Sequence, residues 1–310
     1  MKPSEILCKK LSFSKEELNR YIGTAPYRYK KYKIPKRTGG WRDIAQPSKD
    51  LKVVQRILIE EVLVKKLPVH SSATAYKENS SILKNAEVHL KNSYLLKLDF
   101  NNFFPSIVDS DFQNLIIKNN ILDIDEATEL RLLSRIFFMH KADKLILSIG
   151  SPGSPLISNA ILYDFDMKVS DMATGEGVSY SRYSDDLTFS SNRKGVLSSW
   201  PNLVKSELKA MSWPRLTVND EKTVFTSKAH NRHVTGITIT NDGQASLGRK
   251  KKRGLRTKVY LVESGMLSQK EIRSLRGHIS YIQSIEPAFV AALWKKYPVG
   301  MAQIASKSSY

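Results

Sequence analysis

The 310-residue sequence holds a single cysteine, Cys8, which excludes an internal disulfide and any zinc site built on several cysteines. Its six histidines, His70, His89, His140, His230, His233 and His278, follow no zinc-ligand spacing. No apolar run is long enough to cross a bilayer, and the opening MKPSEILCKK lacks a signal-peptide core. A soluble, cytoplasmic protein with no membrane partner is therefore expected. A Walker-type glycine loop, an internal repeat, a low-complexity tail and a serine hydrolase context are also missing. Acid is scarce as well: 30 Asp and Glu stand against 49 Lys and Arg, a formal charge of +19. Such an excess is the footprint of a protein that binds a polyanion, most often nucleic acid. The hydrophobic fraction of 41% is ample for a packed core of one large or two moderate domains.

What is present begins with residues 178–191, VSYSRYSDDLTFSS. Val178 and Tyr180 lead in on one face and Leu187 and Phe189 lead out, predicting a tight β-hairpin with Asp185 and Asp186 at its turn. Carboxylates at a rigid turn suit hard divalent cations, although Asp pairs also mark ordinary solvated turns. A third acid, Asp99, ends the apolar strand YLLKLD at 94–99, ahead of the aromatic turn FNNFFPSI. It either caps a buried strand or joins the hairpin acids in a trio. Such a trio would hold two metal ions about 3.5–4 Å apart and support in-line phosphoryl displacement.

Residues 29–58, YKKYKIPKRTGGWRDIAQPSKDLKVVQRIL, read as a strand, a Gly39-Gly40 turn, a second strand and a helix starting near Pro47. The Asp99 strand follows, then GSPGSPLISN at 150–159, YSDD at 183–186, LTVNDEKTVF at 216–225 and HVTGI at 233–237. In type and order these segments resemble the fingers and palm of a reverse transcriptase, over roughly residues 20–245. Two short features are similar to the retron branch. NAEVH at 85–89 matches its Asn-Ala-x-x-His motif, and Val234-Thr235-Gly236 matches its Val-Thr-Gly triplet.

The resemblance implies an α+β, right-hand polymerase fold. Its parts would be an N-terminal helical segment (1–25), fingers and palm (26–245) and a small helical thumb (246–310). Asp99, Asp185 and Asp186 match the metal-binding acids, usually joined by the carbonyl of Phe100, and the implied cofactor is a pair of Mg²⁺ ions. Phe104 matches the aromatic that blocks a ribose 2′-hydroxyl, although core packing would also account for it. Lys36 and Arg42 resemble the finger cations that grip an incoming triphosphate, with bidentate geometry open to Arg42. Gly150 belongs to the loop that shapes the nucleotide site. Lys222 resembles the lysine that protonates the leaving pyrophosphate, or is a plain strand-edge lysine. Asn85, His89, Thr235 and Gly236 are candidates for RNA contact, with backbone ordering the other role open to His89.

Two positions depart from the family pattern. Ser184 stands where retron enzymes usually carry Ala, a small change the hairpin should tolerate. Ile149 replaces the usual glutamine near the nucleotide sugar, so nucleotide affinity or fidelity is expected to differ.

Beyond residue 245 the composition turns basic. Arg249, Lys250, Lys251, Lys252, Arg253 and Arg256 open a helix expected to reach about Val262. Helical patterns follow around 269–283 and 287–297. The cations are expected to track an RNA backbone, while Tyr281 and Trp294 are expected in the thumb core. Ser14-Lys15-Glu16-Glu17 reads as a capped helix start.

By resemblance, the chain would copy its cognate non-coding RNA, as template and primer, into a short DNA from deoxynucleoside triphosphates. Priming from an internal guanosine 2′-hydroxyl would leave a 2′,5′ branch. Host ribonuclease H would trim the template, and an operon-encoded effector protein would join the complex in defence against phage. A group II intron-like reverse transcriptase, an RNA-dependent RNA polymerase and a non-catalytic RNA-binding scaffold are the alternatives.

Overall fold

The structure is a computed structural model that describes residues 1–36, 39–120 and 127–306. Short alternating segments form four small antiparallel sheets among these residues. Strands β1 (Tyr29–Pro35) and β2 (Trp41–Pro47) pair from Tyr29 opposite Pro47 to Pro35 opposite Trp41. Gly39 and Gly40 close that hairpin at φ 90° and 79°, a region costly to residues with a Cβ. The helix Lys49–Leu58 follows, capped by the Ser48 hydroxyl on the Leu51 amide.

Strand β3 (Tyr94–Asp99) lies inside the largest sheet and has apolar residues on both faces, as an enclosed strand requires. The small β4 (Met139–Lys141) and β5 (Lys144–Ile146) pair with each other. The acid hairpin is β6 (Ser179–Tyr183) and β7 (Asp186–Ser191), and β8 (Val224–Ser227) follows as the edge strand. The sheet order is β6-β7-β3-β8. Strands β9 (Arg232–Val234), β10 (Ile237–Ile239) and β11 (Ala245–Ser246) make the last sheet.

Period-two alternation splits β3 between two cores. Leu96 and Leu98 join Leu187, Phe189, Phe165 and Trp200 in the main core, whereas Leu95 joins Ala86, Val234 and Ile237 in a second one. The second core extends into the C-terminal helices Arg249–Glu263, Gln269–Gln283, Pro287–Lys296 and Pro298–Ala305. The sequence predicts only three helices here. Pro298 starts the fourth, where a missing N–H and a fixed φ are tolerated. Tyr281 and Trp294 are 45% and 42% exposed, correcting the expectation that they fill the thumb core. Val259, Leu275, Ile279 and Leu293 fill the core among these helices instead.

At the other end, the helix Lys15–Thr24 begins with the expected cap. Ser14 Oγ accepts from the Glu17 amide, and Glu17 Oε2 accepts from the Ser14 amide. Leu7 and Leu18 are buried with Leu58 and Phe137 in the main core. The whole is the α+β, right-hand arrangement implied by the sequence.

Candidate active site

Register brings the three acids together. Asp99 at the end of β3 pairs directly with Asp186 at the start of β7. Asp185 precedes it in the turn, where its carbonyl accepts from the Phe100 amide at 3.1 Å. Ser184 turns the chain at φ 62°, a conformation that residues with a Cβ seldom adopt. Three carboxylates crowded at the end of the two central strands repel one another. Burial first, then Asp185 and Asp99, push the Asp186 carboxyl up to about 6. Asp185 is raised by burial and by Asp99, while Lys222 and Arg42 pull it back.

The counter-charge in place is Lys222, whose Nζ lies 2.7 Å from Asp99 Oδ1. Among the described residues no three acids, histidines or cysteines are drawn to the spacing that encloses an ion. The donor set nevertheless fits a divalent cation, because the acids offer only oxygen ligands and a positive charge would relieve their repulsion. A groove of about 460 Å³, lined by Lys97, Asp99, Asp186, Lys222, Thr235 and Gly236, opens from these acids.

A buried network that sequence reasoning missed holds the hairpin. Arg182 on β6 and Asp166 on the helix Tyr163–Gly175 are fully buried and ion-paired, Nη2 to Oδ2 at 2.6 Å. Tyr180 donates its hydroxyl to the same carboxylate at 2.8 Å. Arg182 Nη1 donates to Asn159 Oδ1 and to the Ser184 carbonyl, which ties the ion pair to the turn. The available signal was one arginine inside an otherwise aromatic and small strand.

A second cleft, about 330 Å³, is lined by Tyr76, Phe104, Ile149, Gly150, Lys52 and Arg56. Phe104 is half-buried, resting on the main core with its ring 5.1 Å from that of Phe103. It therefore serves packing and lines the cleft at once. The Ile149 carbonyl accepts from the Ala45 amide at 3.0 Å, docking this loop on β2. Gly150, at φ 120°, has a backbone that side chains rarely adopt, and a Cβ there would sit tightly, 3.3 Å from the Ala45 carbonyl and Ile44. Lys36 is exposed beside the glycine turn and Arg42 projects from β2. The influence of Arg42 on Asp185 links the β1–β2 hairpin electrostatically to the acids. The cations Lys52 and Arg56 were not anticipated, although their i,i+4 spacing on a helix was a readable sign.

The retron-like motifs correct one expectation. Asn85 and His89 are buried, so neither presents a surface to RNA. Asn85 Oδ1 accepts from Thr74 and Ser181 hydroxyls, both at 2.7 Å, and its Nδ2 donates to Thr235 Oγ1 at 3.4 Å. The His89 ring bridges Ser190 and Ser181 at 2.7 and 2.8 Å, and burial pushes it down to about 3. These residues brace the sheet face behind the acids. Thr235 and Gly236, at φ 47° and 83°, form the β9–β10 turn on the rim of the groove.

Along the helix Arg249–Glu263, Arg249, Lys250, Lys251, Arg253 and Arg256 are exposed. Lys251 Nζ donates to the Gly236 carbonyl at 3.1 Å, so this basic face adjoins the groove. Lys252 is withdrawn from the expected RNA-contact set, because it pairs with Glu286 at 2.7 Å and is mostly covered.

Comparison with known proteins places this geometry. Residues 34–239 match the family model described as reverse transcriptase (RNA-dependent DNA polymerase). The chain is 43% identical to the retron Ec83 reverse transcriptase of Escherichia coli, over 91% of this chain and 90% of that protein. It is 33% identical to the retron Ec73 reverse transcriptase of Escherichia coli, over 86% of each. A solved apo telomerase from Candida Tropicalis overlays with a TM-score of 0.49 at 13% identity. That overlay takes in 99% of this chain and 63% of the telomerase, so the chain spans less than two thirds of its length.

Proposed function

The chain belongs to the reverse transcriptase family, in its retron branch, and from that premise we propose that it copies part of a cognate structured RNA into a short DNA. The pairing of Asp99 with Asp186, beside Asp185, carries this reading. Polymerisation needs clustered oxygen ligands that favour positive charge, and the raised Asp186 carboxyl marks that demand. Asp99, Asp185, Asp186 and the Phe100 carbonyl would hold two Mg²⁺ ions, which when bound activate the primer hydroxyl and neutralise the departing pyrophosphate.

The other residues act around that centre. Lys36 and Arg42 grip the triphosphate from the fingers hairpin. Phe104 walls the cleft against a ribose 2′-hydroxyl, and Gly150 keeps the facing loop close to β2. Lys222, in the same groove as the acids, gives a proton to the leaving group. The exposed cations of the helix Arg249–Glu263 hold RNA phosphates next to the groove, and Thr235 and Gly236 support the primer end there.

The finer reading includes priming from an RNA 2′-hydroxyl, giving a branched RNA–DNA product. Host ribonuclease H trims the template, and an operon-encoded effector completes a cytoplasmic anti-phage system. Nucleic acid from cells expressing the gene with its native flanking DNA tests this. Wild type is compared on a denaturing gel with an Asp185→Ala, Asp186→Ala double variant. We expect a discrete small DNA in wild type alone, with mobility altered by ribonuclease and by debranching enzyme. If that DNA is absent while purified protein extends a primer on RNA, the chain is a reverse transcriptase without retron priming. If both are absent, it is an RNA-binding scaffold.

A further inference from the structure

Tyr76 is the one aromatic among the described non-glycine residues with positive φ, at 63°. A bulky side chain in that region is an outlier, and such strain persists only where the surroundings over-determine it. Here they do. Residues 72–75 run parallel to β6, with the Arg182 amide donating to the Ser72 carbonyl and the Thr74 amide to the Arg182 carbonyl, both at 2.8 Å. Asn159 Nδ2 holds the Ala75 carbonyl at 2.9 Å, and Ala73 and Ala75 are fully buried. From this clamped segment Tyr76 emerges 49% exposed.

Its side chain spans two places that matter. The ring lines the cleft with Phe104, Ile149 and Gly150. Its hydroxyl donates to Ser184 Oγ at 3.3 Å, and its ring lies 6.3 Å from Tyr183. Ser184 immediately precedes the two hairpin acids and is itself at a positive φ, so contacts rather than backbone preference fix its position. Ile149, on the opposite loop, offers the cleft no polar side-chain atom.

Resting on the polymerase reading above, we infer that Tyr76 is a positioning residue that registers the nucleotide cleft against the acid hairpin. Its ring walls the incoming nucleoside. Its hydroxyl holds Ser184, so that Asp185 and Asp186 keep a fixed relation to the nucleotide bound beside Phe104.

The test is steady-state extension of a primed homopolymeric RNA with the complementary deoxynucleotide. Tyr76→Phe, Ser184→Ala and their double variant are compared with wild type, and Asp185→Asn serves as the inactive reference. Tyr76→Phe and Ser184→Ala should each lower kcat about fivefold, the effect of one lost hydrogen bond, at unchanged nucleotide KM. The double variant should be no slower than either single one. Tyr76→Ala should raise KM as well, because the wall is removed; if it does not fold, the other variants still decide. Unchanged kcat in both single variants, or losses that multiply in the double variant, overturns the inference. A wild type as inactive as Asp185→Asn would instead overturn the polymerase reading.

Discussion

Arg182 Nη2 and Asp166 Oδ2 meet at 2.6 Å with both side chains fully buried, and the same guanidinium holds the Ser184 carbonyl at 3.0 Å. The acid hairpin is therefore pinned from behind by an ion pair that never touches solvent. Removing one partner leaves an uncompensated buried charge. Asp166→Ala should cost about 3–5 kcal/mol in a denaturant titration. Replacing both residues with apolar ones of similar size should cost less. Equal losses in the two variants would show that the pair does not act as a unit.

His89 gives the fold a defined response to acid. Its ring is buried between Ser181 and Ser190 and is pushed down to about 3, well below the ordinary histidine value. The unfolded chain takes up a proton near pH 6.5 that the folded chain refuses until about pH 3. Stability is thus intact above the unfolded value and is lost as pH falls through that window, by up to about 1.4 kcal/mol per pH unit. In His89→Gln this contribution disappears. Between pH 7 and 4 the melting temperature should fall less for the variant than for wild type.

Phe104 tests how the cleft selects its sugar. Phe104→Ala should raise ribonucleotide use relative to deoxynucleotide use by about tenfold or more, as expected when a steric contact decides between substrates. Competition between the two nucleotides in primer extension measures it. An unaltered ratio would leave Phe104 as a packing residue only.

Lys222 faces Asp99 at 2.7 Å and offsets a small part of the rise that burial, Asp185 and Asp99 impose on the Asp186 carboxyl. A lysine that delivers a proton to pyrophosphate contributes about 10²-fold or more to kcat. Lys222→Met should lose that factor with RNA affinity unchanged. In metal-free protein, the Asp186 carboxyl should titrate at higher pH, which NMR can follow. A normal kcat with a shifted titration would make Lys222 a counter-charge alone.

Local pattern determined much of this protein by itself. Alternation at 178–191 specified the hairpin and brought the acid pair to its tip, with Asp185 in the turn and Asp186 opening β7, because side chains on a strand repeat every two residues. Ser14 with Glu17 specified a helix start, and the charge of +19 pointed to a polyanion. Tertiary structure alone decided which distant segments meet. The order β6-β7-β3-β8 set Asp99 opposite Asp186. Burial turned Asn85 and His89 from candidate RNA contacts into braces, and turned Arg182 into a buried clamp. A polar side chain reads the same in a sequence whether it faces water or a buried partner. Only long-range packing determines which, because burial without a partner costs too much to persist.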